Sequence, residues 1–474
     1  MKRYIPVIAV FLLFLVGFLN DVFADDTLRV SLEEAKNYAK IHSNDIRQNA
    51  YEVDRANLRV KQALAYLLPQ VNAEADYTYY TKVPTNAIPS SSFSGSLEST
   101  FGPLVTNINE LNVLNGLPPY IPDIKNDDIL FPLAQKNTFA AKISLLQTLF
   151  NGSYLIGFTG AKMYIDLQKS ENEVKDVDVM DNVIRAYYGT LVAKENVGLV
   201  SKNIANLEKL LFETQQIYKN GFAEELDVDR LKLSLSNLKS QVDGLQAQYI
   251  LAETNLKYQM GYPVDSAIAL KDKLDDIVNV IIPPSDSAPD FSSRKENKLM
   301  QLREDINKIK AKKEKYEYLP VLNAFAALGS NAQRDKFTSV FQNKWQNYHY
   351  VGLQMLVPVW DNFARKRQWQ QTEIDIKKIQ LGKVQMQEGF KMQYTKAKID
   401  FDNAYRDMQS QKDNIELANK IYMVAQKKYK EGVGSSLEMT NAETQYYISQ
   451  AQYLGAVYKV LIAKSDIEKS LGLQ

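Results

Sequence analysis

The 474-residue sequence contains no cysteine. Disulfides, thiolate metal sites and a lipid-modified N-terminal cysteine are therefore all excluded. Histidine is almost as scarce, with only His42, in a helical pattern, and His349, beside a strand pattern. Neither has a second ligand at metal spacing, so no metal and no other cofactor is expected. The glycine-rich signatures of nucleotide sites are missing as well, because Gly152 to Gly157 is followed by Phe158 where a phosphate loop needs Lys. The clustered acids Asp272, Asp275 and Asp276 sit among prolines and serines and read as solvated surface. No catalytic constellation emerges, and an enzyme is not expected.

Long apolar runs are confined to the N-terminus. Lys2 and Arg3 precede an apolar run from Ile5 to Leu19 and the small-residue site Val22-Phe23-Ala24, so residues 1–24 read as a secretory signal peptide. An exported chain free of cysteine fits the envelope of a Gram-negative cell. Beyond the signal, no stretch approaches the ~20 apolar residues of a membrane-spanning helix. If this chain crosses a membrane, strands must do it. Without residues 1–24 the chain has 55 basic and 55 acidic residues. That balance gives no reason to expect a nucleic-acid partner.

What the sequence does contain is a duplication. The stretch Tyr218-Lys219-Asn220-Gly221-Phe222-Ala223-Glu224-Glu225-Leu226-Asp227 returns as Tyr429-Lys430-Glu431-Gly432-Val433-Gly434-Ser435-Ser436-Leu437-Glu438, an offset of 211 residues that also carries Gly261 onto Gly472. Each copy places a glycine where a helix needs a left-handed residue to stop, with apolar periodicity on both sides. This predicts helix, tight turn, antiparallel helix. After the first turn, Val228, Leu231, Leu235, Leu238, Val242, Leu245, Tyr249, Ala252 and Leu256 alternate spacings of three and four, a heptad seam. The seam returns after the second turn from Met439 to Ile467.

Taken in order, the first repeat spans residues 25–261. It opens with a helix from Ser31 to Leu68, ended by Pro69, and continues with a period-two strand at about 70–82. A long loop, 83–136, rich in Pro, Ser, Asn and Gly, leads to a second strand at about 137–150. A long helix, 153–218, then reaches the first turn. Residues 262–290 read as a linker. The second repeat, 291–474, restates the first, with Leu319-Pro320 standing where Leu68-Pro69 stood and strands at about 321–331 and 346–359. The long helix of about 66 residues would be ~100 Å long, roughly matched by the two shorter helices of its repeat placed end to end. Helices of such length build a tall wall rather than a globule.

Four amphipathic strands cannot close a membrane barrel alone, because open edges are not tolerated in lipid. Three chains supply twelve strands and a closed threefold ring. Val71, Ala73, Ala75, Val351, Leu353 and Met355 would face lipid, and Asn72, Glu74, Asp76 and Gln354 the water inside. Tyr77, Tyr79, Tyr80, Phe150, Trp345, Tyr348 and Trp360 lie near strand ends, where interfacial aromatic girdles belong.

The duplicated order of helix, strand, loop, strand, long helix, Tyr-x-x-Gly turn and returning helix resembles the TolC family of outer-membrane efflux proteins over nearly all of residues 31–472. The resemblance implies a mainly α fold with a membrane β-barrel portion: a trimeric channel-tunnel whose twelve-stranded barrel stands on a periplasmic helical tunnel. It implies a passive exit duct for a tripartite efflux pump or type I secretion system. The partners would be two further copies, a periplasmic adaptor (membrane fusion) protein, an inner-membrane RND or ABC transporter, and outer-membrane lipid. Residues 83–136 would be extracellular. A soluble periplasmic coiled-coil scaffold is the alternative, and the alternating strands argue against it.

By the same resemblance, Gly221, Phe222, Leu226, Gly432, Val433 and Leu437 would form the tip that docks the adaptor. Glu438 matches an acidic position lining the tunnel mouth, and Asp227 is its counterpart in the first repeat. Asn441 stands where some relatives have a second acid, and Gly434 replaces a base that helps close their mouths. Closure would then lean on Tyr429. Read without the family, Ser435-Ser436-Leu437-Glu438 is a capping box, which would tie the Glu438 carboxylate back to the helix start.

Overall fold

The computed structural model describes residues 27–88, 103–104, 106–112, 114, 129–283, 288–340 and 345–473. The expected signal peptide, 1–24, and most of the 83–136 segment lie outside the described residues, as do 284–287 of the expected linker. The chain divides into two compact units. The first comprises residues up to 60 together with 159–311 and 368–474, and the second comprises 61–158 and 312–367.

The first unit is helical. β1 (Leu28–Val30) leads into α1 (Leu32–His42), whose start is a capping box. Ser31 Oγ accepts from Glu34 N–H at 3.3 Å, and the Glu34 carboxylate accepts from Ser31 N–H at 2.8 Å. α2 (Asn44–Ala65) follows, so the single helix expected from Ser31 to Leu68 is in fact two. Ser43, at φ −55° and ψ 129°, breaks it. The reason lies in the other repeat arm: α3 (Gly152–Lys219) and α4 (Glu225–Met260) form the first hairpin, and Gly261, which ends α4 at φ +72°, sits against this break. A β-carbon on Gly261 would lie 2.3 Å from the His42 carbonyl oxygen. α4 thus ends where α2 begins, and the two short helices stack as their summed length suggested.

The second repeat repeats the device. α6 (Lys295–Tyr316) begins where α8 (Ser436–Leu471) ends, with Gly472 at φ +75° against Arg294. α7 (Ala364–Lys430) is the second long helix. Facing apolar stripes hold these helices together. Val183, Tyr187, Leu256, Met260, Phe401, Val457 and Leu461 form one buried cluster, and Leu207, Leu231, Leu238, Tyr422 and Met439 form another nearer the turns.

The linker 262–290 proves partly regular. β6 (Ile268–Leu270) pairs in parallel with β1, Leu28 opposite Ile268 and Val30 opposite Leu270, and a short helix α5 (Leu274–Val278) follows. Asp272 is not solvated surface but a fastening: its carboxylate accepts from Leu32 N–H at 2.8 Å and from the Tyr187 hydroxyl at 2.7 Å. Buried donors of this kind need a partner, and a carboxylate that satisfies two of them is held in place.

The second unit is built on a four-stranded antiparallel sheet ordered β2-β5-β7-β8, from β2 (Gln70–Tyr79), β5 (Asn137–Asn151), β7 (Val321–Arg334) and β8 (Gln346–Leu356). Three boundaries move by three residues from those read in the sequence. β8 stops short because Pro358 cannot donate to a ladder. β3 (Thr85–Ile88) and β4 (Ile129–Pro132) pair as a short ladder, and residues 106–112 are helical, so the ends and part of the interior of the 83–136 segment carry regular structure that its composition did not show.

Register decides the faces. Val71 pairs with Leu145, Ala73 with Ile143 and Ala75 with Ala141; Leu145 pairs with Ala326, and Ala326 with Val351; Ala324 pairs with Leu353 and Leu322 with Met355. Paired residues point to one side, so all six residues assigned to an apolar face share it. Asn72, Glu74, Asp76 and Gln354 fall on the other face, where Glu74 pairs with Lys142 at 2.9 Å. Gly329 lies under the ring of Tyr348, and Gly352 under that of Phe325.

Candidate functional site: the hairpin turns

Both Tyr-x-x-Gly turns lie in the helical unit and close by the same physics. At the end of α3, Gly221 takes φ +80°, its N–H bonding Tyr218 O at 2.9 Å while Phe222 N–H reaches back to Ile217 O at 3.1 Å. At the end of α7, Gly432 takes φ +75°, with Gly432 N–H on Tyr429 O and Val433 N–H on Lys428 O, both at 3.0 Å. Such paired bonds satisfy carbonyls that a helix end leaves open, and the left-handed residue they need is glycine. Gly434 is required for a different reason. A β-carbon there would come within 2.9 Å of the Lys428 side chain, so the second turn has no room for a larger residue.

The six tip residues are displayed outward. Phe222 is 85% exposed and Val433 76%, with Leu226 and Leu437 about half exposed. Large apolar groups left in water at a turn serve nothing within the chain, which is the condition a docking surface meets.

The four residues assigned to the mouth are not equivalent. Asp227 accepts from Glu224 N–H at 3.3 Å, tying its carboxylate to the start of α4. Glu438 does not do this. Ser435 Oγ accepts from Glu438 N–H at 3.1 Å, but the Glu438 carboxylate lies 3.5 Å from Lys428 Nζ across the turn. The capping box read at 435–438 is therefore only half made, and its carboxylate faces Lys428 rather than the helix start. Asn441 is exposed one turn along.

Tyr429 is drawn inward. Its hydroxyl and that of Thr214 are both buried and, among the described residues, close no hydrogen bond of normal geometry. Burial pushes the phenol pKa up, the Thr214 hydroxyl opposes the rise, and the charge of Asp227 adds to it. The structure thus brings Tyr429 and Asp227, from the two repeats, into one environment. Two further contacts join the hairpins here: Lys430 pairs with Glu213 at 2.8 Å, and Arg230 donates to Ser436 Oγ at 2.9 Å.

Sequence reading missed the most buried charge-bearing group of the region. Glu443 is fully buried; its carboxylate accepts from Tyr447 at 2.9 Å and Tyr422 at 3.3 Å, while Oε2 closes no hydrogen bond of normal geometry. Burial raises its pKa, and the hydroxyls of Tyr447, Tyr422 and Ser234 act against that rise. Its place beside the seam, one residue after Ala442, was the signal available.

Residues 300–473 match the family described as outer membrane efflux protein, so the chain carries that domain over most of its second repeat. Among solved structures, CusC aligns with a TM-score of 0.65 at 12% identity, over 94% of this chain and 93% of that one. The outer-membrane channel OprN aligns with 0.61 at 14% identity, over 93% and 89%. The outer membrane protein VceC of Vibrio cholerae aligns with 0.59 at 12% identity, over 93% and 96%. No curated protein sequence matches.

Proposed function

We propose that this chain is an outer membrane efflux protein, a channel-tunnel of the outer membrane that serves as a passive exit duct for a tripartite efflux pump or a type I secretion system. Its helical tunnel stands in the periplasm. One observation carries the reading: long duplicated helical hairpins and an antiparallel sheet with a continuous apolar face occur in one chain. Val351 on that face is 85% exposed and Leu353 70%. Water would make such a face costly, and lipid would not. A soluble coiled-coil scaffold has no use for it.

Among the described residues the sheet has two unpaired edges, β2 and β8. An open edge in lipid leaves backbone donors and acceptors without partners, at a desolvation cost of several kcal/mol each. Three copies joining β8 to β2 remove every edge and give twelve strands. Glu74, Lys142, Asn72 and Gln354 then line the water-filled interior. As a passive duct it leaves the work of transport to an inner-membrane transporter. A periplasmic adaptor meets the turns, taking Phe222, Leu226, Val433 and Leu437 into an apolar groove with Gly221 and Gly432 setting their spacing. Asp227, Tyr429, Glu438 and Asn441 line the mouth.

Outer-membrane fractionation combined with conductance in planar bilayers tests the reading. A heat-labile trimer in the outer membrane that forms steady channels is the expected result. A monomer recovered in the periplasmic fraction that leaves bilayers silent would overturn it.

A further inference from the structure

All four strands of the sheet meet helices at one end, where β2 and β7 begin and β5 and β8 finish. At that end the second unit presents a band of apolar and aromatic groups, including Phe158, Val359, Trp360 and Phe363. Val359 is 87% exposed and Trp360 71%. The backbone is bent to hold them there. Asn362 and Phe363 both take left-handed φ, at 56° and 65°, the non-glycine residues that do so among those described. The Phe363 ring meets Trp360 edge-on, with centroids 5.0 Å apart, and Lys366 Nζ stands 5.9 Å from the same ring.

The charge of this end is one-sided. Segments 61–68, 149–158, 312–320 and 357–367 hold seven basic residues against three acidic ones, in a chain whose formal net charge is only +1. The acids are already committed within the chain: Asp361 caps α7 through Arg365 N–H at 3.1 Å and pairs with the Arg365 side chain, Glu317 pairs with Lys313 at 3.2 Å, and Glu314 is buried. Lys61, Lys312 and Lys366 remain exposed. At the other end of the sheet Tyr77, Phe139 and Phe337 meet ring to ring, with Tyr77 and Phe337 about half exposed.

We infer that this band is a binding surface for the headgroups of anionic phospholipids, with Trp360 and Phe363 at the boundary of the acyl chains and Lys61, Lys312 and Lys366 on the phosphates. The inference rests on the reading of the sheet as a membrane barrel and adds a headgroup preference to it. The Trp360 indole, with an apolar body and a polar N–H, belongs at the headgroup level with Phe363 packed on its acyl side, and lysines nearby favour anionic lipid. A second copy that joins β8 to β2 does not pair with the interior strands, and Phe158 follows the interior strand β5 while Lys312 precedes the interior strand β7.

The test uses the full protein reconstituted in phosphatidylcholine bilayers containing spin-labelled phosphatidylglycerol or spin-labelled phosphatidylcholine, comparing their association with the protein. The wild type should prefer phosphatidylglycerol several-fold. The variant Lys61→Gln/Lys312→Gln/Lys366→Gln should lose most of that preference, while still inserting as a trimer. Insertion with equal association of both lipids, or a preference unchanged in the variant, would overturn the headgroup site alone. A variant that falls to monomers would make the band a subunit contact and also overturn it. Failure of the wild type to insert into either bilayer would sink the barrel reading together with the site.

Discussion

Glu443 and Tyr447, one turn apart on α8, share a hydrogen bond of 2.9 Å inside the four-helix core, with the carboxylate wholly out of water. Tyr422 of α7 and Ser234 of α4 are the other polar groups that face it, and no ion pair reaches it among the described residues. A buried carboxyl without a cation favours its protonated form.

The pH consequence follows from linkage. Because burial raises the Glu443 pKa above 4.5, the packed hairpins bind a proton that the unfolded chain releases. The stabilisation is complete below the ordinary carboxyl value and is lost as pH rises through the raised one, at about 1.4 kcal/mol for each tenfold gain in proton affinity on folding. Glu443→Gln removes that dependence. The melting temperature of the wild type should therefore fall relative to the variant's as pH rises above the ordinary carboxyl range. Parallel curves would show that Glu443 titrates as an exposed acid does.

The four left-handed glycines among the described residues separate into two pairs. Gly221 and Gly432 have open space where a β-carbon would go, so substitution by Ala meets only the backbone penalty, about 1 to 2 kcal/mol. Gly261 and Gly472 press on another backbone, with the built β-carbon 2.3 Å from His42 O and 3.0 Å from Arg294. Gly261→Ala should lower the melting temperature clearly more than Gly221→Ala, and Gly472→Ala more than Gly432→Ala. Equal losses within each repeat would mean that the stacked helix ends separate freely.

The two sheet faces predict opposite tolerances. Leu353→Arg places a charge on the apolar face and should cost about 2 to 4 kcal/mol near the bilayer midplane, reducing the yield of the proposed trimer on unheated gels. Glu74→Gln, on the opposite face, removes only one partner of a partly exposed ion pair and should assemble like the wild type. If the two variants assemble equally well, the faces are reversed or the sheet does not meet lipid.

How far the sequence could be read depended on the range of the pattern. Alternation over Val71 to Tyr79 and Val321 to Leu328, and glycine at 221 and 432, are local signals, and the structure carries a strand or a turn at each. The resemblance to the TolC family is borne out by the matching efflux-protein domain and by the fold. What stayed hidden was set by partners distant in sequence. A three-residue strand such as Leu28–Val30 has no period of its own and exists because Ile268–Leu270 lies beside it. Ser43 breaks a helix that reads as continuous because Gly261 occupies the space alongside. Asp272 looks solvated among prolines until Tyr187 is seen to reach it. At the turns, residue types mark Glu438 as a capping acid, yet Lys428, ten residues back, holds its carboxylate.

That last contact sets the charge of the proposed mouth. Glu438 and Lys428 are each about half exposed and 3.5 Å apart, so their attraction is screened and worth little, but each copy of the lysine cancels much of the field of its neighbour. A ring of three Glu438 side chains should thus select cations only modestly, and Lys428→Gln should strengthen that selectivity by unmasking them. Glu438→Gln leaves the lysines alone at the rim and should move the reversal potential in a salt gradient by several millivolts towards, or past, anion preference. Asp227 is tied to the start of α4 and keeps its charge in both variants, so the two shifts should have opposite sign about the wild-type value. A reversal potential that ignores both substitutions would place Lys428 and Glu438 outside the ion path, whatever the turns do for an adaptor.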